Sequence, residues 1–240
     1  MNEHTGRTAS ARRQPRRQQP DGQRPGRGGR QQEKSRQMRG RLVEAAIACL
    51  AETGFERTSI KRVVARAGVS QGALQHHFPT KEDLIVAVVD RLLERSISET
   101  LRFVDEERGN PRAVEAITMR IWTHLIDTKP YRALLEILMA ARTDEALRVR
   151  VAPNLQRWNA AIDALIIRLF RARDGRQETA EALLFMGRSM MMGLVVSEGF
   201  FRDRDYARAM VERWIALTAP LIALRPAGEP AGDSQEEPMS

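Results

Sequence analysis

Residues 54–78 have the sequence GFERTSIKRVVARAGVSQGALQHHF. Apolar spacing predicts two short helices, at about 59–67 and 71–78, joined by the turn Gly68-Val69-Ser70. Gly68 permits a sharp reversal of the backbone, and Ser70 can cap the second helix. A small apolar seam is expected to hold the helices at a steep angle; it consists of Ile60, Val63, Val69, Leu74 and Phe78. This arrangement is typical of a helix-turn-helix, whose second helix enters the major groove of DNA.

The second helix of this pair leaves a small, mostly polar face outward, because Leu74 and Phe78 point into the seam. A glutamine amide can pair bidentately with adenine, and an alanine methyl can contact thymine. We therefore expect base contacts from Gln71, Gly72, Ala73, Gln75 and His76. Groups at or near helix starts suit phosphate contacts, and this predicts a second set: Thr58, Ser59, Ser70, His77 and Lys81. The alternative for the glutamines is an ordinary solvated face.

The rest of the chain also predicts helices, since no segment shows sustained alternation of apolar and polar residues. Predicted helices cover about 35–53, ended by Gly54, and 81–109, after the capping-box-like start at Thr80. Further starts are predicted at Asn110-Pro111 and at Pro130, and a striped helix with Val151 and Leu169 should end at Asp174-Gly175. The last two helices cover about 178–198 and 205–224, with Pro220 disturbing the final turn.

The basic charge is concentrated at the N-terminus. Residues 1–40 carry eleven Lys or Arg against three Asp or Glu, and this imbalance equals the net charge of +8 for the whole chain. Charge alone therefore does not identify a folded DNA-binding surface. Residues 1–34 are rich in Arg, Gln, Gly and Pro and are expected to be a disordered tail that binds phosphates non-specifically or inserts into the minor groove. Residues 226–240 are expected to form a second disordered tail.

Cysteine content and hydropathy limit which classes of protein remain. The single cysteine, Cys49, excludes an internal disulfide and is expected to be a small buried side chain. No apolar run approaches the roughly 20 residues that span a bilayer, and no secretory signal is apparent. We therefore expect a cytoplasmic protein, associated with the nucleoid when bound to DNA.

The run from Thr58 to Leu84, which ends in the motif HFPTKEDL, resembles the DNA-binding signature of the tetracycline-repressor (TetR) family of transcriptional regulators. The resemblance covers about residues 36–85. It implies an all-α fold of about nine helices, with a three-helix helix-turn-helix domain (35–80) fused to a helical body (81–225) that dimerises and often binds an inducer. Two positions depart from the family pattern: Gln75 stands where tyrosine is usual, and Val64 stands where a small alanine is usual. The first departure should alter base preference.

Two further sets of residues are expected in the body. An adaptable methionine-rich helix near aromatic neighbours predicts a largely apolar ligand pocket with Arg120 and Glu136 at its polar end; simple core filling is the alternative. The pocket set is Arg120, Trp122, His124, Glu136, Leu138, Trp158, Phe185, Met186 and Met190. A seam of small residues and the apolar face of the last helix predict a dimer interface: Ser189, Gly193, Ser197, Met210, Trp214 and Leu217.

The predicted function is a sequence-specific regulator, a repressor that a small, largely apolar ligand releases from a palindromic operator. We expect double-stranded DNA and a second copy of the chain as partners, and no cofactor. The adjacent histidines His76 and His77 point about 100° apart on a helix and are not expected to bind a metal. No catalytic set stands out, so an enzyme is not expected. A regulator without an inducer and a non-specific nucleic-acid binder driven by the tail are the alternatives.

Overall fold

The computed structural model describes residues 27–201, 203 and 205–226. Nine α-helices lie within this part of the chain, which confirms the all-α prediction: α1 Arg27–Arg57, α2 Ile60–Ala67, α3 Gln71–His77, α4 Lys81–Glu106, α5 Ala113–Ile121, α6 Lys129–Thr143, α7 Glu145–Leu169, α8 Gln177–Ser197 and α9 Tyr206–Thr218. A π-helical turn, Trp122–Ile126, lies between α5 and α6.

Contacts divide the chain into two units, with the boundary between Gln37 and Met38. In the first unit, residues 27–37 are helical and the side chains from residue 29 onward are exposed. Glu33 pairs there with Arg36 at 3.5 Å and accepts a hydrogen bond from Gln37 at 3.1 Å. Residues 27–34 of the predicted tail thus lie in the first turns of α1. Residues 1–26 and 227–240, the rest of the two predicted tails, lie outside the described residues.

Several helix ends follow local chemistry. Gly54 has a φ of 76°, a conformation that glycine adopts without strain, and it interrupts the helical geometry of α1 where the sequence predicts a stop. The predicted start at Asn110-Pro111 is wrong by two residues. Asn110 Oδ1 accepts a hydrogen bond from the Arg112 amide at 2.9 Å and forms a turn, so α5 begins only at Ala113.

Two short strands replace predicted helix ends. α7 ends at Leu169, and Phe170–Ala172 forms β1 instead of continuing to Asp174. α9 ends at Thr218, a 3-10 turn contains Pro220, and Ile222–Leu224 forms β2, which pairs antiparallel with β1. Strands of three residues are too short to show an alternating pattern, and their hydrogen bonds come from a segment about 50 residues away.

The buried apolar side chains of the second unit form two clusters. The first joins α1, α2 and α3 to α4, α6 and α7, and it includes Leu74, Phe78 and Ile137. The second is built from α4 to α9 and the strand pair. The helix-turn-helix therefore shares one core with helices of the body, and α6 contributes to both clusters through Ile137 and Leu135.

Candidate nucleic-acid interface and interior cavity

The position of α3 is fixed by its ends and by its apolar side. Gly68 adopts the left-handed conformation, with a φ of 64°, and ends α2. Ser70 caps α3 by accepting a hydrogen bond from the Ala73 amide at 3.2 Å. Leu74 and Phe78 are 1% exposed and anchor the helix in the first cluster. These contacts confirm the predicted turn and make the opposite side of α3 face away from the core.

The residues predicted to contact bases all lie in α3 and are mostly exposed. Gln71, Gly72, Gln75 and His76 are exposed, and Ala73 is half-buried. A side chain placed at Gly72 would meet no atom within 4 Å, so the backbone there is open to a close approach. Four of the five residues are thus accessible to solvent, and Ala73 is partly so. Their contact with bases stays a prediction.

The residues predicted to contact phosphate differ in their exposure and in their contacts. Ser59 and Ser70 are exposed at the starts of α2 and α3. The Lys81 ammonium lies 4.4 Å from the centre of the Phe55 ring and donates a 3.4 Å hydrogen bond to the Phe55 carbonyl. Because only one of its three protons points there, the others remain free to meet a phosphate.

Thr58 contradicts its predicted role. Its residue is only 3% exposed, and its hydroxyl donates a 2.7 Å hydrogen bond to the Gly54 carbonyl. The second oxygen contact, at 3.4 Å, is to Thr53. The hydroxyl closes the turn between α1 and α2 and is not available to DNA. Sequence proximity to a helix start did not distinguish this buried hydroxyl from the exposed one of Ser59.

His77 lies half-buried at the end of α3. Burial lowers the pKa of its imidazole below the ordinary value of 6.5, and the charges of His76 and Arg39 lower that pKa further. The ring is therefore neutral at pH 7, so a phosphate contact would use a neutral N–H donor. Among the described residues, no group of three His, Cys, Asp or Glu is placed to hold a metal ion.

Two exposed cations on α2 were not singled out from the sequence. Lys61 and Arg62 lie in the first turn of α2, beside the Ser59 cap. In a helix-turn-helix the first helix of the pair crosses the DNA backbone, which places such side chains near phosphates. Their pattern was visible in the sequence: two consecutive basic residues directly after a cap. In contrast, Arg66 forms an ion pair with Glu52.

The helix-turn-helix is tied to the body by polar contacts. Glu136 of α6 accepts a 3.1 Å hydrogen bond from the Phe55 amide through Oε2. A Cβ at Gly54 would lie 3.0 Å from the same oxygen, so glycine leaves room for this contact. Asp83, at the start of α4, completes a capping box with Thr80 and pairs with Arg150 of α7. The hydrogen bonds from Thr80 and then from Arg150 lower the pKa of the Asp83 carboxyl.

A cavity of about 490 Å³ lies among the helices of the body, and its walls are mostly apolar. Four residues of the predicted pocket set line it: His124, Leu138, Trp158 and Phe185. Residues from α4 to α9 complete the wall. A larger cleft of about 620 Å³ is more open to solvent and is lined by the loop before α5 and by residues 219–226.

The other predicted pocket residues lie elsewhere. The Arg120 guanidinium pairs with Glu106 and Glu107 and lies 4.4 Å from the centre of the Phe103 ring. Glu136 bonds to the helix-turn-helix, as described above. Trp122 is buried in the second core cluster, and Met186 and Met190 are not part of the cavity wall. The polar residue that the sequence missed is Arg188, which lines the cavity among the methionines of α8.

The predicted dimer residues divide between an inner and an outer side of α8 and α9. Trp214 packs inside its own chain, because a Cβ at Gly187 would lie 2.7 Å from its Nε1 atom. That contact explains the glycine at position 187; Trp214 is itself only half-buried, and its interface role stays a prediction. Nothing lies within 4 Å of a Cβ at Gly193, and Leu217 is 71% exposed. Met210, Ser189 and Ser197 are half-buried.

The outer side of α8 is unusually apolar for an exposed surface. Phe185, Met186 and Val196 are exposed, and Phe200 just after the helix is 88% exposed. By length and composition alone, the segment Gln177–Phe200 could cross a membrane, since its mean hydropathy is 1.3. Only 22% of its apolar stretch is buried. The range nevertheless contains four charged residues: Glu178, Glu181, Arg188 and Glu198.

Comparison with known proteins gives matches to regulators. Residues 42–88 match the family model of bacterial regulatory proteins, tetR family. The chain is 25% identical to the transcriptional regulator CymR of Pseudomonas putida over 73% of this chain and 86% of that protein. It is 29% identical to the transcriptional repressor AcnR of Corynebacterium glutamicum over 68% of this chain and 92% of that protein.

Solved structures show the same fold. A TetR-family transcriptional regulator from Mesorhizobium loti superposes with a TM-score of 0.60 at 19% identity, over 78% of this chain and 95% of the other. A regulator from a Rhodococcus species gives a TM-score of 0.56 at 21% identity, over 76% of this chain and 99% of the other. At these identities the likeness concerns the architecture: a helix-turn-helix followed by a helical body.

Proposed function

The chain belongs to the TetR family of bacterial regulatory proteins and is a DNA-binding transcriptional regulator, and we propose that it is a homodimeric repressor that a small, largely apolar ligand releases from a palindromic operator. The observation that carries this proposal is the capped α3, whose polar face is exposed while its apolar side is fixed in the shared core. Such a helix can enter a major groove without rearranging. The family implies action in the cytoplasm, and the DNA-bound protein associates with the nucleoid.

The base preference is assigned to the amides of Gln71 and Gln75, which lie four residues apart and so one helical turn apart on α3. Phosphate contacts come from Ser59, Ser70, His77 and Lys81, and we add Lys61 and Arg62 on α2 because both are exposed beside the α2 cap. Contacts of the first kind select sequence, and contacts of the second kind supply salt-dependent affinity.

A second copy of the chain is the proposed occupant of the exposed apolar surface on α8 and α9. Leu217, Phe200 and Val196 would leave water when two copies meet there, and Gly193 offers space for a close helix approach. Two copies related by a two-fold axis would present two α3 helices, which requires an operator with two related half-sites. TetR-family regulators act as dimers, which supports this assignment.

Release by a ligand is proposed to pass through α6. Tyr131, Leu134 and Leu138 of this helix line the cavity, while Glu136 bonds to the Phe55 amide at the edge of the helix-turn-helix. A ligand that favours a shifted α6 would favour a different position of the helix-turn-helix in each copy. Since both α3 helices must reach their half-sites together, that population shift would weaken operator binding.

The test is selection of DNA from a random duplex library at physiological salt, with three proteins: the full chain, a variant that begins at residue 27, and the full chain with Gln71→Ala and Gln75→Ala. A palindrome enriched by the first two proteins and lost or relaxed with the third is the expected result. Binding that shows no enrichment and disappears without residues 1–26 would instead identify a non-specific binder driven by the tail.

The selected operator then separates the two kinds of contact. Gln75→Ala should reduce discrimination against base changes at one half-site position by about 1–3 kcal/mol, while leaving binding to random DNA unchanged. Lys61→Ala should weaken all sequences alike and reduce the slope of log affinity against log salt by about 0.9 per copy. Equal losses on operator and random DNA for Gln75→Ala would contradict its role in base recognition.

A further inference from the structure

The cavity in the body is lined by basic residues but by no described acidic residue. Its ionisable lining residues are Arg95, His124, Tyr131 and Arg188, and none of the described lining residues is Asp or Glu. Arg95 and His124 are largely exposed, so they belong to the rim, whereas Arg188 and Tyr131 are partly buried. The interior thus combines apolar walls with one permanent positive charge and a phenol.

Arg188 forms no ion pair with an acid in the part of the chain that the structure describes. Its Nη1 atom is buried and has no hydrogen-bond partner among the described residues. The guanidinium lies 5.1 Å from the centre of the Trp158 ring and 5.5 Å from that of Phe185. Ring faces attract the cation, but they do not accept the hydrogen bonds that its N–H groups direct in the guanidinium plane.

A buried N–H group without an acceptor is costly, and a guanidinium cannot escape the cost by losing its proton. The other arginines around the body illustrate the usual solution. Arg120 pairs with Glu106 and Glu107, and Arg132 pairs with Asp127 and Glu198. Arg188 is held instead in an apolar space large enough for a ligand. A group that brought its own negative charge would complete the site.

Building on the proposed ligand-responsive function, we propose that the cavity binds an amphipathic organic anion, whose carboxylate pairs with Arg188 and whose apolar body lies along Leu134, Leu138 and Trp158. The forked donors of a guanidinium match the two oxygens of a carboxylate, which makes this headgroup a better fit than a single hydroxyl or a cation. The volume of about 490 Å³ lies within the usual range for small-molecule sites.

Tyr131 supports the same headgroup. Burial raises the pKa of its phenol, with the charge of Arg188 offsetting part of the rise, so the hydroxyl keeps its proton at neutral pH. A protonated phenol donates a hydrogen bond and adds no negative charge to the cavity. Both partly buried ionisable groups of the wall, Arg188 and Tyr131, therefore offer donors to an anion.

The inference is tested with molecules that differ only in their headgroup. Biphenyl-4-carboxylate, biphenyl-4-carboxamide and 4-phenylbenzylamine share one apolar body but carry a negative, a neutral and a positive headgroup at pH 7. Decanoate and decanamide provide the same comparison on an aliphatic chain and show which body the walls prefer. Binding to the full chain is measured by titration calorimetry without DNA, so that the result is independent of the operator.

At least one carboxylate should bind tenfold or more tightly than its amide, because a hydrogen bond to a charged group in a buried site strengthens binding by about that factor or more. The benzylamine should bind most weakly. Carboxylates that fail to saturate the protein, an amide that binds as well as its carboxylate, or a preference for the amine would each overturn the inference.

Arg188→Met tests the residue itself, since methionine keeps much of the length and removes the charge. The preference for carboxylate over amide should fall to less than threefold in this variant. Arg168→Met, which removes an exposed arginine outside the cavity, should leave the preference unchanged. Arg188→Lys keeps the charge without the fork and should give an intermediate preference; it also carries the test if Arg188→Met does not fold.

The failure of this inference is distinguishable from the failure of the proposed function. Carboxylate binding at Arg188 that does not release the selected operator would leave the inference intact and contradict ligand-controlled release. Release of the operator by the amides as strongly as by the carboxylates would support an inducer pocket and overturn the choice of an anion.

Discussion

The helix-turn-helix and the cavity in the body are both made of helices, but interactions of different range place their functional residues. Ser59, Gly68 and Ser70 fix α3 through bonds to residues within five positions of themselves. Arg188 and Trp158 belong to helices about 30 residues apart, and they meet Leu92 of α4 and Trp214 of α9 around one space. Local contacts thus set the turn and caps of α3, although Leu74 and Phe78 anchor it in a core shared with the body, whereas the cavity depends throughout on helices distant in sequence.

The largest expected loss of stability comes from Leu74, which anchors α3 in the shared core. Leu74→Ala should lower the free energy of unfolding by about 2–5 kcal/mol, because it empties a fully buried position in the shared core. Leu138→Ala removes the same atoms from a half-buried position that already borders the cavity, so about half that loss is expected. Urea unfolding at one protein concentration compares them; equal losses would show that the cavity wall is packed as tightly as the core under α3.

The next effect concerns a contact between α8 and α9. Gly187→Ala places a methyl group about 2.7 Å from Trp214 Nε1, and the resulting repacking should lower stability by about 1–3 kcal/mol. Gly40→Ala is the matched control, since no atom lies within 4 Å of a Cβ there, and it should stabilise its helix by up to about 1 kcal/mol. Thermal unfolding measures both. A Gly187→Ala protein as stable as the parent would mean that Trp214 moves away freely.

A smaller loss of stability is expected when the hydrogen bond between Glu136 of α6 and the Phe55 amide is removed. Glu136→Ala removes the acceptor for the Phe55 amide and should cost about 1 kcal/mol. Hydrogen exchange at residues 53–58 should become faster, while exchange in α5 stays unchanged. Glu136→Gln retains an oxygen acceptor and should keep most of the protection. Unchanged exchange in both variants would remove α6 from the proposed route between cavity and DNA.

The smallest expected effect is a dependence on pH at the end of α3. Because the pKa of His77 is lowered in the folded protein, the unfolded chain binds more protons as the pH falls below 6.5. Stability contributed by the neutral ring is complete above that pH and is lost progressively below it. The melting temperature should therefore fall less between pH 7 and pH 5.5 in His77→Gln than in the parent. His76→Gln removes one of the charges that lower this pKa, so its slope should lie between those of the parent and His77→Gln. A parent slope in His77→Gln would contradict the assignment.

Particular residues show which features of each region could be predicted from the sequence. The turn at Gly68, the cap at Ser70 and the exposed face of Gln71 and Gln75 follow from side-chain types and spacing over some ten positions. Thr58 marks the limit even there, because its burial depends on the return of the chain from α1. The strands at 170–172 and 222–224 were missed since each needs the other for its hydrogen bonds.

The amino-acid sequence by itself determined the helical class, the helix-turn-helix and the face of α3 that meets solvent, because capping, turn geometry and helical periodicity act between near neighbours. Only the tertiary structure decided that Glu136 bonds to the helix-turn-helix, that Arg120 pairs with acids outside the cavity, and that Arg188 enters it without one. The spacing of charges along a helix fixes which residues share a side, but the packing of distant helices decides which of those charges meet a partner.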